Sequence, residues 1–201
     1  LDQEHHRIVD LVRAPLRYRK TFRRNWETDE IKALLRQSGL TKSQRQAFLH
    51  LLHYTLTLVW GPPGTGKTHF IAAALRLLME FYEKRGRKLS ILISGFTHAA
   101  IENVLSKVQE LVPQGKADIA KLGAVQTEHV KGIAEVADRD LLGWLGSGGH
   151  RVLGATLYGI QRAHEKGVVG GEFDVVVLDE ASQIRVADSL LALRHVKKAG
   201  R

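Results

Sequence analysis

Cysteine is absent from all 201 residues. That excludes disulfides, thiolate zinc sites, cysteine nucleophiles and cysteine-ligated iron–sulfur clusters within the chain. The ten histidines do not make up for it. His5 and His6 are adjacent and His50 and His53 are three apart, but neither pair has a third ligand nearby in sequence, so no zinc centre is expected. Long apolar runs are also missing. None reaches the ~20 residues that a membrane helix needs. The opening LDQEHHRIVD is polar and mixed in charge, so neither a signal peptide nor a membrane partner is expected. A start at Leu1 and a stop after VKKAGR are what a piece of a longer protein would show. Acidic residues are in deficit, 21 against 30 Lys and Arg, for a formal charge of +9. Such an excess suits a polyanion such as nucleic acid, and an anionic membrane face almost as well. Hydrophobic residues at 44% suffice for the core of one ordinary domain.

Residues 1–39 read as a charged, helical lead-in. Arg7, Arg13, Arg17, Arg19, Lys20, Arg23 and Arg24 cluster there with Tyr18, Phe22 and Trp26 between them. This is either a strand-binding arm or, preferred here, a solvated element whose rings plug into the core. TDEIKALLRQSG predicts a helix capped by Thr28 or Asp29 and stopped by Gly39. LTKSQRQAFLHLLH predicts another, capped by Thr41 or Ser43, with Ala47, Phe48, Leu51 and Leu52 inward. TLTLVW, Thr55 to Trp60, reads as a strand. The helix after it would turn Ile71, Ala74, Leu75, Leu78 and Tyr82 to one face and end at Gly86. LSILISG predicts a strand and HAAIENVLSKVQELV a helix stopped by Pro113. Residues 113–150 read as a variable insertion with one or two short helices and a flexible GSGG. RVLGAT and EFDVVVLDE predict strands. The second is a near-continuous apolar run, as in a strand buried on both faces of a parallel sheet. A last helix is expected from about Ala187 to Val196. Alternating strands and helices predict an α/β fold with a parallel sheet flanked by helices.

GPPGTGKT, Gly61 to Thr68, matches G-x-x-x-x-G-K-[ST] in full, with a strand expected before it and a helix after. Gly61, Pro62, Pro63, Gly64, Thr65 and Gly66 would form a loop aiming several N–H groups at one anion, helped by the positive end of the helix. Lys67 would reach the β- and γ-phosphates and the Thr68 hydroxyl would ligate Mg²⁺. The end of VVVLDE supplies Asp179 as a second magnesium holder and Glu180 to orient or deprotonate an attacking water. The alternative, a surface acidic pair after a core strand, loses force beside such a loop. Together the motifs imply hydrolysis of a nucleoside triphosphate at the carboxyl edge of the sheet.

LTKSQRQAF, ILISGFTHAAIENVL, VLGATLYGI and FDVVVLDEASQI occur in an order and spacing that resembles superfamily 1 helicases, over roughly residues 40–195. The likeness is to the group holding the nonsense-mediated-decay helicase and the DNA replication helicase–nuclease family. The resemblance implies a RecA-like first motor domain over 40–201, with ATP and Mg²⁺ as cofactors. It makes Gln44 the adenine-reading glutamine and Gln183 the sensor of the γ-phosphate. It places Thr97, His98 and Thr156 on the backbone of a single nucleic-acid strand. The bland alternatives are a helix-surface glutamine and ordinary strand-end turns. The resemblance further implies a monomeric motor acting 5′→3′ on DNA rather than RNA, inside the cell, in cytoplasm or nucleus. Relatives run on into a Gly-Asp…Gln motif and a second RecA-like domain with arginine fingers. Without these, the 201 residues alone are expected to bind ATP–Mg²⁺ weakly and hydrolyse it very slowly. Two other readings stay open: a ring-forming AAA-type ATPase, and a non-enzymatic ATP- or nucleic-acid-binding module.

Overall fold

The computed structural model of the chain describes residues 29–62, 64–127, 130 and 132–197. The basic arm, His5, His6, Thr28 and Pro63 lie outside the described residues. Five parallel strands form one sheet in the order β3-β2-β4-β1-β5. They are β1 (Ser90–Gly95), β2 (Ala117–Leu122), β3 (Ala134–Val136), β4 (His150–Thr156) and β5 (Val175–Leu178). The helices are α1 (Asp29–Arg36), α2 (Lys42–His53), α3 (Lys67–Glu83), α4 (His98–Leu111), α5 (Leu141–Gly146), α6 (Leu157–Glu165) and α7 (Val186–Leu193).

The period-2 alternation of the strands sorts the helices into two layers. Ile91, Ile93 and Val152 pack with α1 to α4, whereas Leu92, Leu153, Ala155, Ala120 and Leu122 pack with α6 and Ala192 of α7. Each fully buried Leu or Ile in these layers contributes about 1.5–3 kcal/mol. The close approach of α4 to β4 needs Gly154. A Cβ there would lie 2.5 Å from Leu105 Cδ1 and 2.7 Å from Ile101 Cγ2.

Four expectations are corrected. Thr55 to Trp60 forms no strand; Leu58 and Trp60 are 85% and 89% exposed. A β-branched run becomes a strand only by pairing, and this one pairs with no strand among the described residues. The stretch 113–150 is more than short helices and a flexible tract, since it supplies β2 and β3 to the main sheet. Strand β5 is half-buried along its length because it pairs with β1 alone. Helix α3 buries more than one face: Phe70, Ala72, Ala73, Leu77, Met79 and Phe81 are all inside, while Ile71 and Tyr82 are only partly covered. Helix α6 was not expected at all.

Candidate nucleotide and strand site

The phosphate loop leads into α3. Gly64 and Gly66 both sit at φ 79°, a region open to glycine and strained for side chains. Gly66 is the N-cap of α3 and Lys67 its first residue. The Lys67 Nζ donates to the carbonyls of Gly61 (2.6 Å) and Pro62 (3.1 Å), and the Thr65 hydroxyl also donates to Pro62 O (2.8 Å). The loop is therefore wound tightly about its own lysine. A Cβ on Gly61 would come within 2.6 Å of Thr65 Oγ1, so a side chain there would force the Thr65 hydroxyl off Pro62 O. Thr68 is partly exposed on the first turn.

Gln44 lies at this loop. It is the third residue of α2, where Thr41 and Gln44 close a reciprocal capping box. The Thr41 N–H donates to Gln44 Oε1 (3.0 Å) and the Gln44 N–H to Thr41 Oγ1 (3.3 Å), an arrangement that contributes about 1 kcal/mol to the helix. With its oxygen so held, Gln44 turns its Nε2 toward the loop, 3.8 Å from a Cβ built on Gly66.

The remaining candidates collect at the carboxyl edge of the sheet. Gly95 pairs in register with Thr156, and Ser94 with Leu178. The Asp179 N–H continues that ladder to Ser94 O (2.9 Å). Thr97 and Thr156 are both N-caps, accepting from Ala100 N–H (3.2 Å) and Gly159 N–H (3.0 Å). Each hydroxyl thus spends a lone pair on its helix and keeps its proton to donate. Glu180 is the one non-glycine among the described residues with positive φ (50°), a conformation costing about 1–2 kcal/mol. It is exposed, as is Gln183 on the short 3₁₀ turn after it, whose N–H donates to Glu180 O (2.9 Å). Among the described residues no hydrogen bond or ion pair joins the phosphate loop to Asp179 or Glu180.

Beneath this edge lies an ion pair that the sequence did not reveal. Glu102 is 0% and Lys121 1% exposed, with Nζ 3.2 Å from Oε1. Glu102 also accepts the N–H groups of Gln126 (2.9 Å) and Thr127 (2.7 Å), and Lys121 donates to Ala124 O. Burial pushes the Glu102 carboxyl up, but the bonds from Thr127, Gln126 and Lys121 outweigh it and hold it below its ordinary value. His98 sits one turn before Glu102 on α4. Burial lowers its pKa, Lys121 adds to that and Glu102 opposes it. Its Nδ1 is buried without a hydrogen-bond partner among the described residues. Both burial and Lys121 thus disfavour the cationic form of the imidazole that follows Thr97. The only sequence signal for the pair was a glutamate at helical spacing from His98, facing inward. Phe96 and Tyr158, 55% and 59% exposed, also went unremarked, although each sits beside a candidate threonine.

The AAA domain family matches residues 39–143, more than half of the chain. The chain belongs to that family, within the superfamily 1 helicase group. It is 32% identical over 160 residues to the DNA replication ATP-dependent helicase/nuclease DNA2 of Gallus gallus, covering 73% of this chain and 14% of that protein. To DNA2 of Saccharomyces cerevisiae it is 30% identical over 174 residues, 81% of this chain and 10% of that one. The chain thus spans a small part of the length of the curated relatives it matches. A nuclease-deletion mutant of the Type ISP restriction-modification enzyme LlaGI, solved with a DNA substrate mimic, shares the fold. Its TM-score is 0.55 at 18% identity, over 79% of this chain and 16% of that one.

The AAA domain is a P-loop NTPase domain, and the groups present suit a nucleotide with magnesium. Gly64 and Gly66 at φ 79° lead straight into the N-terminus of α3, whose positive end favours an anion. The Thr68 hydroxyl and Asp179 carboxylate are hard oxygen donors of the kind magnesium takes. Among the described residues no helix is long and apolar enough to cross a membrane.

Proposed function

We propose that this AAA domain is the ATP-binding motor domain of a nucleic-acid helicase, coupling ATP hydrolysis to movement along a single strand. The observation that carries the reading is the carboxyl edge of one parallel sheet. There the strained Asp179–Glu180 corner lies beside two helix starts capped by Thr97 and Thr156. Non-glycine residues held at positive φ cluster at functional sites, and Glu180 is held so at the tip of β5.

In this reading Gly61 to Gly66 hold the triphosphate and Lys67 leaves its two loop carbonyls for phosphate oxygens, a stronger, charge-assisted partner. Thr68 and Asp179 hold magnesium, which when bound neutralises charge on the phosphates. Glu180 orients and deprotonates the attacking water, and Gln183 senses the γ-phosphate. Gln44, its oxygen engaged in the capping box, offers its amide N–H to adenine. Thr97, His98 and Thr156 contact the strand through hydroxyl and imidazole donors, which bind phosphate whatever the base. DNA rather than RNA, and 5′→3′ polarity, rest on the likeness to the helicase–nuclease family. An arginine finger from a second domain raises the rate about 10³–10⁵-fold, so these 201 residues alone turn over slowly.

The test is an ATPase assay of the full-length protein with and without single-stranded DNA and RNA. Strand-stimulated turnover by a monomer supports the motor. Turnover that requires a ring assembly and ignores the strand supports a ring ATPase. Strand or ATP binding with no turnover supports a non-enzymatic module.

A further inference from the structure

We propose that the base site beside Gln44 takes purine nucleotides as a class, guanine as readily as adenine, because Thr41 already engages the one acceptor with which Gln44 would single out adenine. The inference deepens the nucleotide-binding reading above and rests on it.

A glutamine amide singles out adenine only by using both of its ends. The oxygen accepts from the exocyclic N6 amino group while the nitrogen donates to N7. In this chain the two ends are not free together. Gln44 is the third residue of α2, and its Oε1 accepts the Thr41 N–H at 3.0 Å. A backbone N–H only donates, so the oxygen and not the nitrogen faces Thr41, and that bond fixes which way round the amide lies. The Thr41 hydroxyl closes the same box from the other side, accepting the Gln44 N–H at 3.3 Å. The Nε2 is the end left toward the phosphate loop, 3.8 Å from a Cβ built on Gly66, the N-cap of α3. Gln44 therefore offers a base two N–H donors and no acceptor. N7 accepts on adenine and guanine alike, and guanine adds the O6 acceptor beside it. A pyrimidine has no atom at the N7 position. Turning Oε1 to an adenine N6 would exchange one neutral hydrogen bond for another and strand the Thr41 N–H, so it brings adenine no net advantage.

The experiment uses the full-length protein with Mg²⁺ and measures equilibrium displacement of a fluorescent N-methylanthraniloyl-ADP by ADP, GDP, CDP and 7-deaza-ADP, so that no turnover is needed. ADP and GDP are expected to compete within about threefold of each other. CDP and 7-deaza-ADP, which lack N7, should each be weaker by about tenfold, the worth of one lost hydrogen bond. Thr41→Pro suits the φ of −65° at that residue, removes the N–H and frees Oε1. It is expected to raise the preference for ADP over GDP by about 5- to 150-fold, the discrimination of a bidentate pair. Gln44→Leu should erase the difference between ADP and 7-deaza-ADP. A wild-type preference for ADP over GDP above about tenfold, 7-deaza-ADP binding as well as ADP, or a ratio unmoved in Thr41→Pro would each overturn the donor-only base site and leave nucleotide binding intact. Failure of the wild type to bind any nucleotide would overturn that reading and the proposal with it.

Discussion

Replacing Glu102 by Ala should destabilise the domain more than any other single truncation at the carboxyl edge. The carboxylate is fully buried and serves three donors: Lys121 Nζ and the N–H groups of Gln126 and Thr127. Its removal leaves an ammonium that is 1% exposed with the Ala124 carbonyl as its hydrogen-bond acceptor. Truncating one partner of a buried pair costs about 3–5 kcal/mol. Each orphaned amide adds about 1–3 kcal/mol if it stays dry. These costs overlap, since water admitted to one relieves the others, so about 4 kcal/mol is expected. At about 2–4 °C per kcal/mol for a domain of this size, the melting temperature should fall by about 10 °C. The double variant Glu102→Leu/Lys121→Met removes both charges and should cost less than Glu102→Ala alone. Urea unfolding of the singles and the double gives the coupling directly. Hydrogen exchange should show the Gln126 and Thr127 amides losing protection in Glu102→Ala. A cost below about 1 kcal/mol, or a double variant equal to the sum of its singles, would refute the reasoning. The pH dependence has a definite sign. The folded carboxyl lies below its ordinary 4.5, so its contribution is full above that value and is lost as pH falls through the folded pKa.

His195 is fully buried with neither ring nitrogen partnered among the described residues, and burial, with His164 and Arg194 adding to it, lowers its pKa from 6.5 to about 4. The unfolded chain therefore binds more protons between those values. Stability should fall by about 3 kcal/mol as pH drops from 6.5 to 4, and urea midpoints of His195→Leu should lose that slope. Gly154→Ala drives a methyl into Leu105 and Ile101 and should cost about 1–3 kcal/mol, read by thermal unfolding. Lys67→Ala in the full-length protein should abolish ATP turnover and leave strand binding largely intact; surviving turnover would remove the loop from the site. Glu180→Gln should keep nucleotide binding and stop hydrolysis, and equal loss of both would make Glu180 structural.

The glycine-rich loop, a cap for α2 at Thr41 or Ser43 and the existence of helices α2 to α4 were readable because local chemistry decides them: capping residues, a glycine turn and apolar residues at helical spacing. The acidic end of β5 was readable from its apolar run. Strands β2 and β3 were not, since ADIAKL and AEV are too short and too mixed to announce a strand. Helix α6 escaped notice because LYGIQRAHE carries a glycine and only three buried positions.

By itself, then, the sequence determined the glycine-rich loop before α3, the place of Asp179 and Glu180 just after β5 and the alternating α/β order, all properties of residues close together in the chain. Tertiary structure decided which runs became strands. Thr55 to Trp60 has a strand's composition and finds no partner strand among the described residues, while Ala117–Leu122 lacks it and is held between β3 and β4. It also decided that Glu102 meets Lys121. Pairing and burial depend on what the rest of the chain brings alongside, and no local pattern encodes that.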